Sequence, residues 1–400
     1  MRLHVAKLAV LAWAAATLQP AAAFWVLNCG NPVVVDRVDP ITSPGRVPSG
    51  HVHTVMGGDA FSSAMTYEDA LNSSCTSCAI TADLSNYWAP ALYFRHQDGS
   101  FSSVSNSGGM LVYYLQREDE RDPQYEKGIA AFPPGFRMMA GDPWARRLVV
   151  DVGDKEAQAT LRARAISFAC LGLPPGDHGL TSFLPNRKCP GGLRVQVSFP
   201  SCWDGVGLDS AGHRDHVAYP SDMDNGVCPP SHPRRLMYLF YEIVYRADAF
   251  DGEWGPEGSD QPFVFSHGDQ TGFGYHGDFL NGWDTKVLQD AIDGCRGDIR
   301  GAEDCPALRD HVQPVAKMNR CTKQQEYKEK VLGESLPSLP GCNPVQTEHP
   351  ASQRTCDTPS NGTRAVPGGE SQSSANSRET PLLGRLVRRL GGLGRWRLPS

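Results

Sequence analysis

The sequence predicts a mainly β protein: a single β-sandwich or jelly-roll-like domain with long disulfide-linked loops and a disordered C-terminal tail. Three observations carry that reading. Short runs of alternating, β-branched or aromatic residues recur at close spacing, with Gly, Pro, Asn and Asp between them. The 400 residues include 41 glycines and 31 prolines, which favours turns over long helices. The 12 cysteines all follow residue 23, an even set suited to disulfides in an oxidising compartment.

Residues 1–23 read as a secretory leader. Arg2 and Lys7 make a basic start, residues 8–18 form an apolar stretch too short to span a bilayer, and Ala21-Ala22-Ala23 offers an A-x-A cleavage site. The exported chain then begins at Phe24, and the expected location is extracellular. No later apolar run is long enough for a transmembrane segment. Residues 24–31 suit an aromatic edge strand and 33–35 a short β-branched one. Residues 43–61 hold two prolines, four glycines, two histidines and an aspartate, which is loop chemistry leading into a strand. On an extended strand residues i and i+2 share a face, so His51 and His53 converge, with Asp59 beside them.

Residues 65–71 suit one helical turn. Asn72-Ser73-Ser74 follows as a glycosylation acceptor, as is Asn361-Gly362-Thr363. Cys75 and Cys78 are close enough to pair locally. Residues 87–96 alternate as a strand in which Trp88, Leu92, Phe94 and His96 share a face and Pro90 marks an edge or a bend. Asp98-Gly99 turns the chain back through Phe101. Further strands fall at 110–115, 165–170, 193–199, 235–245 and 263–265, with a short helix at 286–292. Residues 235–245 are apolar on both faces, as a central strand requires, apart from Glu242. The organisation read from this pass is leader 1–23, sandwich domain 24–320 and low-complexity tail 321–400.

A net charge of −6 over 400 residues argues against a nucleic-acid partner. Histidine is the unusual residue, with 12 in the chain. His213-Arg214-Asp215-His216 lies in a loop, and His267-Gly268-Asp269 is repeated as His276-Gly277-Asp278 nine residues later. A His-x-His pair plus a third imidazole from another loop makes a workable donor set for copper or zinc, and His51, His53, His216 and His276 are the candidate ligands. Asp59, Asp269 or Asp278 would accept from the other ring nitrogens. The competing reading is that these histidines only organise turns.

Trp203 beside Asp204, and Trp283 beside Asp284 with Tyr275 near it, set flat aromatic faces beside carboxylates, a combination that suits a polyol, with Asp269 as a further candidate contact. Core packing is the plainer alternative. For acid/base chemistry Glu242 interrupts an apolar strand, so burial would raise its pKa, with Asp204, Asp269 or Asp278 as partner in a glycosidase-like pair. A structural Glu bonded to Arg235 or a tyrosine is the competing reading. A G-x-G-x-x-G match at 272–277 lacks the helix that a dinucleotide site needs, and no G-x-S-x-G occurs.

Five blocks, SGHVHTVMGG, YWAPALYF, FPSCWDG, HPRRLMYLFYE and SHGDQTGFGYHGDFLNGWD, occur in order within residues 38–305. They resemble the signature blocks of a fungal secreted family, the domain of unknown function number nineteen ninety-six. That resemblance implies no established activity and no catalytic residues. It does imply a setting, since members are often joined to WSC-type or cellulose-binding modules, which points to cell wall or polysaccharide. The leading expectation is a polysaccharide-interacting sandwich with an aromatic, His- and Asp-lined cleft. Two alternatives stand beside it: a secreted hydrolase or copper-dependent oxidase centred on the His-x-His pair, and a structural or interaction protein without catalysis.

Overall fold

A computed structural model describes residues 24–351, except 151–152, 155–156, 178, 257–258 and 297–300. The expected leader at 1–23 and the chain beyond 351, including Asn361, lie outside the described residues.

The first strands are β1 (Phe24–Cys29), β2 (Val34–Asp36), β3 (His53–Gly57), β4 (Asn86–Pro90), β5 (Leu92–Arg95), β6 (Phe101–Ser103), β7 (Asn106–Leu115) and β8 (Arg137–Gly141). They are followed by β9 (Ile166–Cys170), β10 (Leu180–Thr181), β11 (Leu193–Ser198), β12 (Cys202–Trp203), β13 (Val217–Ala218), β14 (Arg234–Arg235), β15 (Tyr238–Tyr245), β16 (Phe263–Phe265) and β17 (His276–Leu280). Two antiparallel sheets dominate. One is six-stranded in the order β1-β7-β15-β11-β9-β10, the other five-stranded in the order β2-β3-β4-β17-β8. A three-stranded sheet, β16-β5-β6, and a small one, β13-β12-β14, complete the described architecture.

The two main sheets face each other across one core, as alternation dictates. On β11, Leu193, Val195 and Val197 point inward, on β15 Leu239, Tyr241 and Ile243, and on β7 Met110, Val112 and Tyr114. The five-stranded sheet answers with Met56, Tyr87, Ala89, Met138, Ala140 and Phe279. Val195 and Val197 are fully buried, and burial of each such side chain contributes roughly 1.5–3 kcal/mol. Glu242 alternates outward on β15, so it lies on the far face of the six-stranded sheet.

The run 87–96 differs from the single alternating strand expected. It breaks at Ala91 into β4 and β5, which belong to different sheets. Before the break Tyr87 and Ala89 face the sandwich core, and after it Leu92 and Phe94 do. Trp88 therefore does not share a face with Leu92 and Phe94; it packs with Val55 and Phe61 on the other side of the five-stranded sheet. Pro90 ends the ladder and the chain shifts by one residue, which inverts the alternation.

The disulfides also differ from the local pair. Cys29 bonds Cys78 and Cys75 bonds Cys321, so the C-x-x-C staples two distant segments. Cys170–Cys189, Cys202–Cys228 and Cys295–Cys305 close shorter loops, and Cys342 is oxidised as well. Residues 321–351, which sequence places in the tail, pack on the domain. Val331, Leu336 and Leu339 are buried against Val52, Tyr93 and Val264. No helix among the described residues is long and apolar enough to cross a membrane.

Candidate functional site: a histidine-floored cavity

The site is built on the outward face of the five-stranded sheet. Alternation along β17 sends Phe279 into the sandwich and leaves His276 and Asp278 on the opposite face. His53, at the start of β3, lies two strands away on that face, and His51 precedes it by two residues. His267 comes from the loop between β16 and β17. That loop is organised by Asp269, whose carboxylate accepts from Thr271 N (2.8 Å), Thr271 Oγ1 (2.6 Å) and Gly274 N (2.7 Å). Arg146 stands 3.6 Å from the same carboxylate, and both side chains are buried.

Four imidazoles consequently meet. Ring centroids of His51 lie 4.2 Å from His53, 5.2 Å from His267 and 5.1 Å from His276, and His267 lies 5.2 Å from His276. The Nε2 atoms of His51 and His276 are 3.1 Å apart. His51, His267 and His276 each offer a ligand atom, all within 4.8 Å of one another, and His53, His276 and Asp278 form a second such set.

Two tautomers are set by the backbone. His276 Nδ1 lies 2.9 Å from the Gly274 carbonyl, and His53 Nδ1 lies 3.1 Å from that of Val38. A carbonyl only accepts, so each Nδ1 carries the proton and each Nε2 presents a bare lone pair. Carbonyls thus fill the orienting role that the sequence assigned to aspartates. Asp59 instead accepts from Ser74 and Cys75 and forms a turn.

His53 Nε2, both nitrogens of His267 and both carboxylate oxygens of Asp278 are buried without a hydrogen-bond partner, although the backbone of Gly274 lies beside His267. Burial, reinforced by neighbouring imidazoles, holds His51 and His267 well below the ordinary histidine value. Burial lowers His53 too and takes His276 to about 4. All four rings are therefore neutral at pH 7, the form that binds a metal. Burial pushes the Asp278 carboxyl well upward.

His51, His267 and His276 floor a cavity of about 300 Å³. Its walls are Thr42, Ser43, Pro143, Trp144, Met139, His213, Arg214 and Asn343. Trp144 is 41% exposed. Trp144, Arg214 and Asn343 were missed in the sequence, since isolated loop residues carry no periodic signal. His267 had a signal, its place in the repeated His-Gly-Asp tripeptide, yet His216 stood among the candidates instead.

His216 is not in this group. Its nitrogens bond Ser210 Oγ (3.0 Å) and the Arg137 carbonyl (2.9 Å), at the opposite end of β8 from the Gly141 that pairs with His276. Four residues of strand separate those ends by roughly 13 Å. Glu242 accepts from Tyr113 (2.7 Å) and Gln196 (2.7 Å), with Arg194 at 3.4 Å, and both sheets lie between it and the histidines. Asp204 accepts from Val206 and Gly207 in a turn, and Trp203 donates to the Gly207 carbonyl. Trp283 and Tyr275 are fully buried in the sandwich core. The aromatic residues picked from sequence therefore form no exposed platform, while Asp269 supports the loop and Asp278 abuts the histidines.

Fold and site together define an antiparallel β-sandwich carrying a neutral, multi-histidine floor at the base of a cavity. The chain belongs to the family described as domain of unknown function (DUF1996), whose model matches residues 39–283, more than half of its length. All four histidines fall within that stretch. No curated protein and no solved structure matches the chain.

Proposed function

We propose that this is an exported, disulfide-bonded protein that binds a first-row transition metal, copper or zinc, through His51, His267 and His276. One observation carries the reading: the 3.1 Å separation of the His51 and His276 Nε2 atoms, with the His267 ring centroid 5.2 Å from each of theirs. Two nitrogens held about 2.0–2.1 Å from one tetrahedral ion stand about 3.3 Å apart, so a small shift seats both. Three imidazoles suit copper or zinc, and His53 and Asp278 lie behind them. The cavity supports a site that keeps a coordination position open to an outside molecule, as reactive rather than purely structural metal sites do. Bound there, the metal would supply Lewis acidity or, as copper, one-electron chemistry. The protein's own part is to fix the rings and keep them neutral. Export is supported by the disulfides, which persist in oxidising compartments.

The test is elemental analysis of protein purified without chelator, followed by titration with copper and zinc. About one equivalent bound, reduced at least tenfold by His51→Ala or His276→Ala, is expected. Less than a tenth of an equivalent, not restored by either metal, overturns the reading in favour of a His51–His276 hydrogen bond that only braces the loop.

A further inference from the structure

We infer that the cavity above the histidines takes a small molecule bearing a carboxylate and an apolar ring face, of which a sugar acid is the simplest example. This rests on the metal reading, because the floor of the same cavity is His51, His267 and His276. The inference concerns the opposite wall and what it recognises.

The first observation is charge. Arg214 is the single permanently charged side chain among the lining residues, and no carboxylate lines the cavity. Its Nη1 donates to the Gly141 carbonyl (2.7 Å), which fixes the guanidinium plane. The nearest acid, Asp142, is 4.0 Å from Nη2, too far for a hydrogen bond. Arginine presents a planar fork of donors that matches a carboxylate or phosphate with two hydrogen bonds.

The second observation is backbone conformation. His213, next to Arg214, has φ +54°, left-handed and uncommon for a residue with a side chain. It is held there by its own N–H to Ser210 O (2.9 Å), by Met139 N–H to its carbonyl (2.9 Å), and by Nδ1 against Asp209 Oδ1 (2.8 Å). Strain of this kind persists where surrounding structure enforces it, typically at binding sites. Its effect is to set an imidazole and a guanidinium side by side on one wall. Trp144 supplies a ring face at the entrance, 41% exposed, suited to the C–H face of a saccharide. About 300 Å³ is the lower end of ligand pockets, enough for a monosaccharide and too little for a buried chain.

The probes are glucuronate, glucose and inorganic phosphate, titrated calorimetrically into the full-length metal-loaded protein. Glucuronate is expected to bind at least tenfold tighter than glucose. Arg214→Gln should weaken glucuronate at least tenfold, with metal content unchanged, and Arg214→Lys should recover part of the loss. Trp144→Ala should weaken glucuronate severalfold and leave phosphate unaffected. Equal affinity for glucuronate and glucose, or wild-type affinity in Arg214→Gln, overturns the inference. Phosphate binding as tightly as glucuronate, with both indifferent to Trp144→Ala, also overturns it, because the site would then read charge alone. Metal content, measured on the same samples, separates the two readings. Metal bound without anion preference sinks this inference only, whereas no metal bound sinks the proposed function.

Discussion

Two polar clusters lie on opposite faces of the five-stranded sheet, and they are finished differently. On the inner face Asp83, Tyr87, Tyr114 and Trp283 form a closed network. Tyr87 Oη bonds the Asp83 carboxylate and lies 2.7 Å from Tyr114 Oη, Trp283 Nε1 donates to Tyr114 Oη at 2.7 Å, and Ser85 N donates to Asp83 at 3.0 Å. On the outer face His53, His267 and Asp278 carry buried polar atoms with no such partner. An unpaired buried polar group costs about 1–3 kcal/mol, so a fold keeps several together only where something else compensates. The inner cluster is satisfied by the protein itself and braces the sandwich. The outer one is not, which is the pattern that the proposed metal site would account for.

The inner network is most sensitive at Trp283. Trp283→Ala removes a fully buried indole and its bond to Tyr114, and should lower unfolding free energy by about 3–5 kcal/mol in a denaturant titration. A loss below about 1 kcal/mol would mean that the inner network is not a brace.

Acid should act on the outer cluster by about as much. His276 titrates near 4 when folded and near 6.5 when unfolded, so the unfolded chain binds the extra proton between those values. Stability contributed by the neutral ring is present above about pH 6.5 and falls as pH drops toward 4. For His276 alone the metal-free protein should lose about 3 kcal/mol by pH 4, measured as a falling denaturation midpoint. In His276→Ala that slope should flatten by the same amount.

Metal should then separate the faces. At a free concentration 100-fold above Kd, binding adds about 2.7 kcal/mol, seen as a rise in Tm. The rise should vanish in His51→Ala and survive in Tyr114→Phe. If both variants lose it equally, the two clusters are one cooperative unit and the contrast drawn between them fails.

The smallest effect concerns Asp278. Its carboxyl is raised by burial, so its cost grows as pH rises above the ordinary carboxylate value. Asp278→Asn should stabilise the metal-free protein at pH 7 and leave it unchanged near pH 3, where the carboxyl is already protonated in both the folded and the unfolded chain. Equal effects at both pH values would point to packing rather than ionisation.

Much of the sandwich was legible in the sequence because alternation is a local signal. The strands at 193–198, 238–245 and 263–265 fall where the pattern predicts them. β17 was overlooked because His-Gly-Asp-Phe-Leu has the composition of a turn, and only pairing with β4 and β8 makes it a strand. The same is true of the site. His51 and His53 do meet, as their i, i+2 spacing suggested, although His51 lies in a bend just before β3 begins at His53. The arrival of His276 depends on the order β3-β4-β17 in the sheet, and that of His267 on the loop leading into β17, long-range facts that no short window holds. Glu242 and Trp283 misled for the converse reason: residue type suggested chemistry, while strand parity placed Glu242 on the far face and the turn after β17 carried Trp283 into the core.

The stretch matched by the family model ends at residue 283, but the cavity does not. Asn343 contributes to the wall and bonds the Gly50 carbonyl, Gln346 pairs beside Asp269, and Ala351 N–H reaches the Trp144 carbonyl. The Cys75–Cys321 bridge fastens this run to the body. A polypeptide stopped at residue 283 would keep every floor imidazole yet open the entrance on one side. One wall of the cavity is thus supplied by chain outside the matched stretch, and recombinant expression should extend at least through Ala351.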